Sequence, residues 1–212
     1  MSEPIAVLIP TYNRHAIVQE TVGLLRMHLV YDGRIDLYVS EDGEMGRISG
    51  ATLIEGPHQG LGANLNYLLM LTSGYDLVMQ MDDDHHLRKP LDLTTHAAHL
   101  RTNAQAGAVR LMGVGGHRYT ASLEGDYWRL HWDGPELYVA SNRPHLKHAR
   151  FHAAYGGYPE GMRLGATEEA FCHQCKDAAK ALGSTAPAVY VPLCQDDSAW
   201  SHVGDSWQLR GL

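Results

Sequence analysis

Apolar positions follow two rhythms along the chain. Short runs, "IAVLI" (5–9), "IDLYVS" (35–40), "ATLIEG" (51–56) and "DLVMQM" (76–81), have the length and β-branched content of strands. Between them the spacing lengthens to that of a helix. Val18, Val22, Leu25 and Leu29 recur over 16–29, and "GLGANLNYLLMLTSG" carries an apolar face that stops at Gly74. Strand and helix in alternation predict a parallel βαβ sheet. Pro90 suits a first turn and predicts a helix to Ala104, after which "AVRLMGV" returns to the sheet. From Gly115 to Ala140 the segments shorten to "HRYTAS", "DYWRLHW" and "ELYVAS" with turn residues between, predicting antiparallel hairpins. "TEEAFCHQCKDAAKALG" reads as the last long helix, acidic at its start and stopped by Gly183.

The expected architecture is therefore α/β: a mostly parallel twisted sheet with flanking helices and a small antiparallel region. At 212 residues, 44% of them hydrophobic, the chain suffices for one sizeable core and is short for two, so a single domain over 1–212 is expected. A formal net charge of −7 argues against sequence-blind wrapping of nucleic acid. One local basic patch remains, "RPHLKHAR", with Arg143, Lys147 and Arg150; its simplest reading is a solvated surface segment. No signal pattern occurs and no apolar run approaches the roughly 18 residues of a membrane span, so a cytoplasmic protein is expected. Cys172, Cys175 and Cys194 cannot all pair and read as reduced thiols; a zinc site built from them and His173 lacks the second half of a four-ligand spacing.

In open α/β sheets ligands bind beyond the carboxyl ends of the strands. "PTYNR" after the first strand, "EDGE" after the second and "DDDHH" after the fourth all fall on that rim. If strand geometry persists, alternation turns Asp82 and Asp84 to one side and Asp83 to the other. Like charges so close raise one another's pKa unless a cation intervenes, and a divalent metal is the usual remedy. A solvated loop with Asp83 or Asp84 as a cap is the plainer alternative. His85 and His86 adjoin the acids and are open as ligands; Asn13 reads equally as a helix cap or a ligand contact. "GLGANL" is no dinucleotide fingerprint, since Leu65 stands where the third glycine belongs, and no P-loop sequence occurs.

Taken in order, "IAVLIPTYNR", "VSEDGE", "GLGANLNYLL" running into "DLVMQMDDDHHL", "GATEEAFCHQCK", and "VYVP" followed by "SHVG" resemble the inverting family 2 glycosyltransferases of the GT-A fold. The resemblance covers nearly the whole chain. It implies a nucleotide-sugar-binding half over 1–114 and an acceptor and catalytic half over 115–212. It places Pro10, Thr11, Tyr12 and Arg14 along the nucleotide, Asp42 at a uracil edge, and Asn66 as a further nucleotide contact. Asp82 would face the ribose with Asp83 beside it. Asp84, together with Asp82, would hold a Mn²⁺ or Mg²⁺ ion, and His202 would be a further metal ligand; an imidazole inclines the choice to Mn²⁺. Glu169 would be the general base and Glu168 its neighbour beside the acceptor, although acids in a first helical turn are also stabilised by the macrodipole alone. Two positions depart from the family pattern: Leu65 replaces a frequent arginine, and Glu169 a more common aspartate.

The implied activity is transfer from a nucleotide-diphosphate sugar, a UDP-sugar above all, to an acceptor hydroxyl. That acceptor is a glycan, a small molecule or, given the basic "RPHLKHAR" stretch, a hydroxymethylated pyrimidine in DNA. "GVGGHRY" and the tryptophans of "DYWRLHW" are candidate acceptor contacts, with core packing as the alternative. A non-catalytic nucleotide-sugar or glycan-binding module is the rival reading.

Overall fold

The computed structural model describes residues 2–112, 119–163 and 165–203. The first run of apolar residues becomes β1 (Ile5–Thr11), buried along its whole length. Ile5, Val7 and Ile9 pack with Val18, Val22 and Leu25 of α1 (His15–His28), while Ala6 and Leu8 pack with Leu68 of α2 (Leu61–Leu71). Both faces of the strand are covered, which is why its sequence is continuously apolar rather than alternating.

After α1 come β2 (Leu29–Val30), β3 (Ile35–Glu41) and β4 (Thr52–Glu55); after α2 come β5 (Leu77–Gln80), β6 (His85–Leu87), β7 (Leu91–Asp92), α3 (Thr94–Thr102) and β8 (Ala106–Arg110). A hairpin, β9 (Ala121–Glu124) and β10 (Tyr127–Leu130), is followed by β11 (His145–His148), α4 (Ala149–Tyr155), α5 (Ala166–Leu182), β12 (Ala188–Pro192) and β13 (Trp200–His202). Nine strands form one sheet in the order β4-β3-β1-β5-β11-β8-β12-β10-β9. The β4-β3-β1-β5 portion is parallel, and β11 runs antiparallel between β5 and β8. The architecture is thus the mixed α/β sheet with flanking helices that the sequence predicts. Among the described residues, no helix is long and apolar enough to cross a membrane.

Three expectations are corrected. Pro90 does not open a helix: Leu91–Asp92 pairs with Leu29–Val30, and α3 begins at Thr94, whose N–H the Asp92 carboxylate accepts at 2.8 Å. "ELYVAS" forms turns and bends, not a hairpin strand. The largest departure is "RPHLKHAR", which is no surface patch but an inner strand and the start of a helix. Lys147 is fully buried, and Arg150 donates to the carbonyls of Leu100, Asn103 and Ala106.

Gly62 explains the glycine of "GLGANL". A Cβ there would stand 2.0 Å from the Pro159 carbonyl oxygen, so only glycine lets α2 lie against the 157–160 loop. Beneath that loop, the Lys147 ammonium donates to Gln80 Oε1 (2.9 Å) and Tyr158 Oη (2.6 Å) and lies 5.1–5.5 Å from the ring centres of Phe151, Tyr158 and Phe171. Among the described residues no carboxylate pairs with it, and burial pulls its pKa from 10.5 down to about 7.

Between those two values the unfolded chain holds a proton that the folded chain lacks. Stability therefore rises with pH from about 7 to about 10.5 through this group. Lys147→Met, which keeps the volume and leaves Gln80 with Tyr158, is expected to raise stability near pH 7 and to flatten that rise, as read by denaturant midpoints across the range.

Candidate functional site

β5 ends at Gln80, and Met81 to Asp84 leave the strand in a turn rather than continuing its alternation. The acids are consequently distributed by turn geometry, each to different partners. Asp83 points back into the protein: Thr11 Oγ1 donates to its Oδ2 at 2.6 Å, Arg14 Nη1 lies 2.8 Å from its Oδ1, and Thr21 donates to its carbonyl. Burial raises the Asp83 pKa to about 6 in spite of the Thr11 hydrogen bond and the Arg14 charge. Asp82 is half-buried, and burial together with the charges of Asp84, Glu168 and Asp83 holds its carboxyl well above the usual range.

Asp84 is buried and divides its oxygens. Oδ2 accepts from Arg14 Nη2 at 3.1 Å. Oδ1 makes no hydrogen bond and lies 3.4 Å from both His85 Nδ1 and His202 Nε2. A two-stranded ribbon creates this meeting. β6 pairs antiparallel with β13 so that His202 stands directly opposite His85, and Val203 N donates to the Asp84 carbonyl at 2.9 Å. A histidine near the end of the described chain is thereby brought against an aspartate over a hundred positions earlier. His86 faces elsewhere, accepting from Arg88 at 2.9 Å with Glu20 at 3.3 Å.

The neighbouring loops are tied to the same rim. Asp42 Oδ1 accepts from His58 N at 2.7 Å and Oδ2 from Gly60 N at 2.8 Å, so this carboxylate shapes the entry to α2. Asn13 is not the cap of α1. Its N–H donates to Glu41 Oε1, and its Oδ1 accepts from Glu44 N, joining the loops after β1 and β3. Asn66 spends its amide on the 157–160 loop, donating to the Tyr158 carbonyl and Glu160 while accepting from Tyr158 N. Pro10 is buried in β1, paired with Ser40, and Tyr12 is exposed at the rim.

At the first turn of α5, Glu168 is half-buried and its Oε1 accepts from Asn142 N at 2.9 Å, whereas Glu169 is exposed. The charge of Glu168 reaches Asp82, which puts the helix start and the acidic turn on one side of the molecule. Sequence reasoning missed this role of Asn142, the Arg14 bridge across Asp83 and Asp84, and His85 as the partner of His202. The last follows from the β6–β13 register, for which the sequence carries no signal.

Elsewhere, Cys172 and Cys175 are free, buried thiols and Cys194 is exposed; Cys172 donates to the Ala140 carbonyl, and among the described residues no cysteine joins a metal-type cluster. Trp132 packs on Tyr155 in the core, and Trp128 lies half-exposed on β10. Of "GVGGHRY", residues 113–118 lie outside the described residues, and Tyr119 accepts from Arg110 at 2.8 Å.

No known family profile and no curated protein matches the sequence. Solved structures do match in fold. Staphylococcus aureus TarS superposes with a TM-score of 0.60 at 16% identity, over 89% of this chain and 35% of that one. The mannosyltransferase PcManGT from Pyrobaculum calidifontis, in complex with GDP-Man and Mn²⁺, gives 0.54 at 17% identity, over 97% and 60%. The catalytic domain of Drosophila β1,4-galactosyltransferase 7, in complex with xylobiose, gives 0.54 at 13%, over 98% and 73%. The fold is that of the GT-A glycosyltransferases. The chain spans about a third of the TarS chain.

Replacing Asp42 with Asn sets an amide against two backbone donors and is expected to cost about 1–3 kcal/mol of stability, measured by denaturant unfolding.

Proposed function

We propose that the chain is a metal-dependent inverting glycosyltransferase that moves a sugar from a nucleotide-diphosphate sugar, a UDP-sugar first among them, to an acceptor hydroxyl. One observation carries the reading: on the rim of a GT-A sheet, a buried Asp84 oxygen without a hydrogen bond lies 3.4 Å from an imidazole on each of two strands. An orphaned buried carboxylate oxygen is costly, and a cation relieves it. The donor set fits Mn²⁺ or Mg²⁺, with Asp84 and His202 as ligands and Asp82 at the edge of the site. Neighbouring folds support the donor class: a TarS fragment forms a complex with UDP-GlcNAc, and a mutant of the Drosophila enzyme forms one with manganese, UDP-Gal and xylobiose.

A divalent ion bound there supplies Lewis-acid stabilisation of the departing diphosphate. The protein's own residues do the rest. Arg14 holds Asp83 and Asp84 in place through one guanidinium. Asp82, half-buried where Asp83 and Asp84 are buried, is the least enclosed of the three acids and the one we assign to a ribose contact. The acidic pair opening α5 takes the proton from the acceptor hydroxyl. Glu169 holds the position that the family motif designates as base; Glu168 is the one oriented by Asn142 and within electrostatic reach of Asp82. Because Lys147 and Arg150 turn inward, the basic stretch that suggested a DNA base no longer supports that acceptor, and a glycan or small-molecule hydroxyl is the class we favour.

In a panel of nucleotide sugars, UDP-sugars with Mn²⁺ are expected to raise the melting temperature, and Asp84→Asn to abolish the shift. No metal-dependent shift with any nucleotide would sink the transferase reading. Substituting the base by Gln is expected to lower turnover about 10²- to 10⁴-fold with nucleotide binding intact. Glu168→Gln and Glu169→Gln, measured side by side, assign the role. A wild-type protein that binds the donor and turns over no acceptor would instead be the binding module.

A further inference from the structure

We propose that His85 is a third protein ligand of the ion, so that the site loads a borderline transition metal before any nucleotide is present and discriminates against Mg²⁺. This rests on the reading above for the identity of the site, while its chemistry is argued from the chain alone. Asp84 and His85 are 7% and 4% exposed, and Asp84 Oδ1 and His85 Nδ1 both lack a hydrogen-bond partner although they face each other. An ion between these two polar atoms would satisfy both. The ligand atoms of Asp84, His85 and His202 all lie within 4.8 Å of one another, and the two Asp84 separations are 3.4 Å. Ligands at the roughly 2.1 Å bond length of nitrogen or oxygen on zinc stand about 3.4 Å apart at a tetrahedral angle.

Two consequences follow from the donor set. An ion held by one carboxylate draws most of its remaining ligands from substrate phosphates or water, as Mg²⁺ commonly does. One carboxylate and two imidazoles form a three-ligand pocket that holds an ion without phosphate. Two nitrogens also favour Mn²⁺, Co²⁺ and Zn²⁺ over Mg²⁺, whose preference is for oxygen. The β6–β13 ladder supplies the rigidity, setting the two imidazoles opposite each other in register.

The test is metal binding by the chelator-stripped full chain without nucleotide, by calorimetry and by the visible spectrum of bound Co²⁺. Expected are one Co²⁺ or Zn²⁺ per chain with imidazole-type bands, no saturation by Mg²⁺ in the same range, and a loss of affinity of about 100-fold in His85→Ala. His86→Ala, one residue away and facing Glu20, serves as the folding control and should bind as wild type. Wild-type affinity in His85→Ala, or Mg²⁺ binding as tightly as Co²⁺, overturns the proposal. So does metal that enters only with UDP, an outcome that leaves the transferase reading standing. Metal that binds through His85 in a protein indifferent to every nucleotide sugar sinks the transferase reading and leaves this one.

Discussion

Three adjacent carboxylates at the end of a buried strand are the constraint around which this molecule is arranged. At such separations, and with little water, ionised acids repel one another strongly unless something positive is set among them. The chain meets the requirement by ending β5 at Gln80 and turning, which sends the acids toward different neighbours. Thr11 and Arg14 from the loop after β1 take Asp83, and Arg14 reaches on to Asp84. The β6–β13 ribbon brings two imidazoles to the remaining Asp84 oxygen, and the start of α5 closes the side toward Asp82. Segments from four places in the sequence converge because the acids need them.

Charge is handled differently a few residues down the same strand. Gln80, in the last register position of β5, accepts from a lysine that has no carboxylate partner among the described residues. Three aromatic rings surround that ammonium, and their faces together with two oxygens replace its water. The acids at the rim and the lysine beneath it are therefore not an ion pair. One cluster is left short of positive charge, while the other is sealed.

That contrast marks where the sequence was legible. β1, α1, β3, β4, α2 and β5 follow from apolar periodicity because each buries a face or a whole strand in the expected rhythm. β11 did not, since "HLKH" carries three ionisable residues and follows a proline, the composition of a surface loop. Its place between β5 and β8 is set by tertiary pairing and by Gln80 and Tyr158, which satisfy Lys147. The acidic turn was recognisable as a site by its chemistry, but the division of labour within it was not. Alternation holds only while a strand lasts, and this one stops two residues early. The order of motifs pointed to His202; its pairing with His85 is a matter of ribbon register, which short three-residue strands do not announce.

Arg14 then decides how the rim is balanced. The motif order places it along the nucleotide, yet its fork is committed to Asp83 and Asp84. That one guanidinium is set against more than the three carboxylates of the turn, since Glu168 reaches Asp82 and Glu41 reaches Asp83. Burial, with the neighbouring carboxylates adding to it, raises the pKa of Asp82 and of Asp83. A cation bound there would compete with the protons on these acids. On the proposed function, a cation at this rim would let a diphosphate be bound by its oxygens instead of repelled.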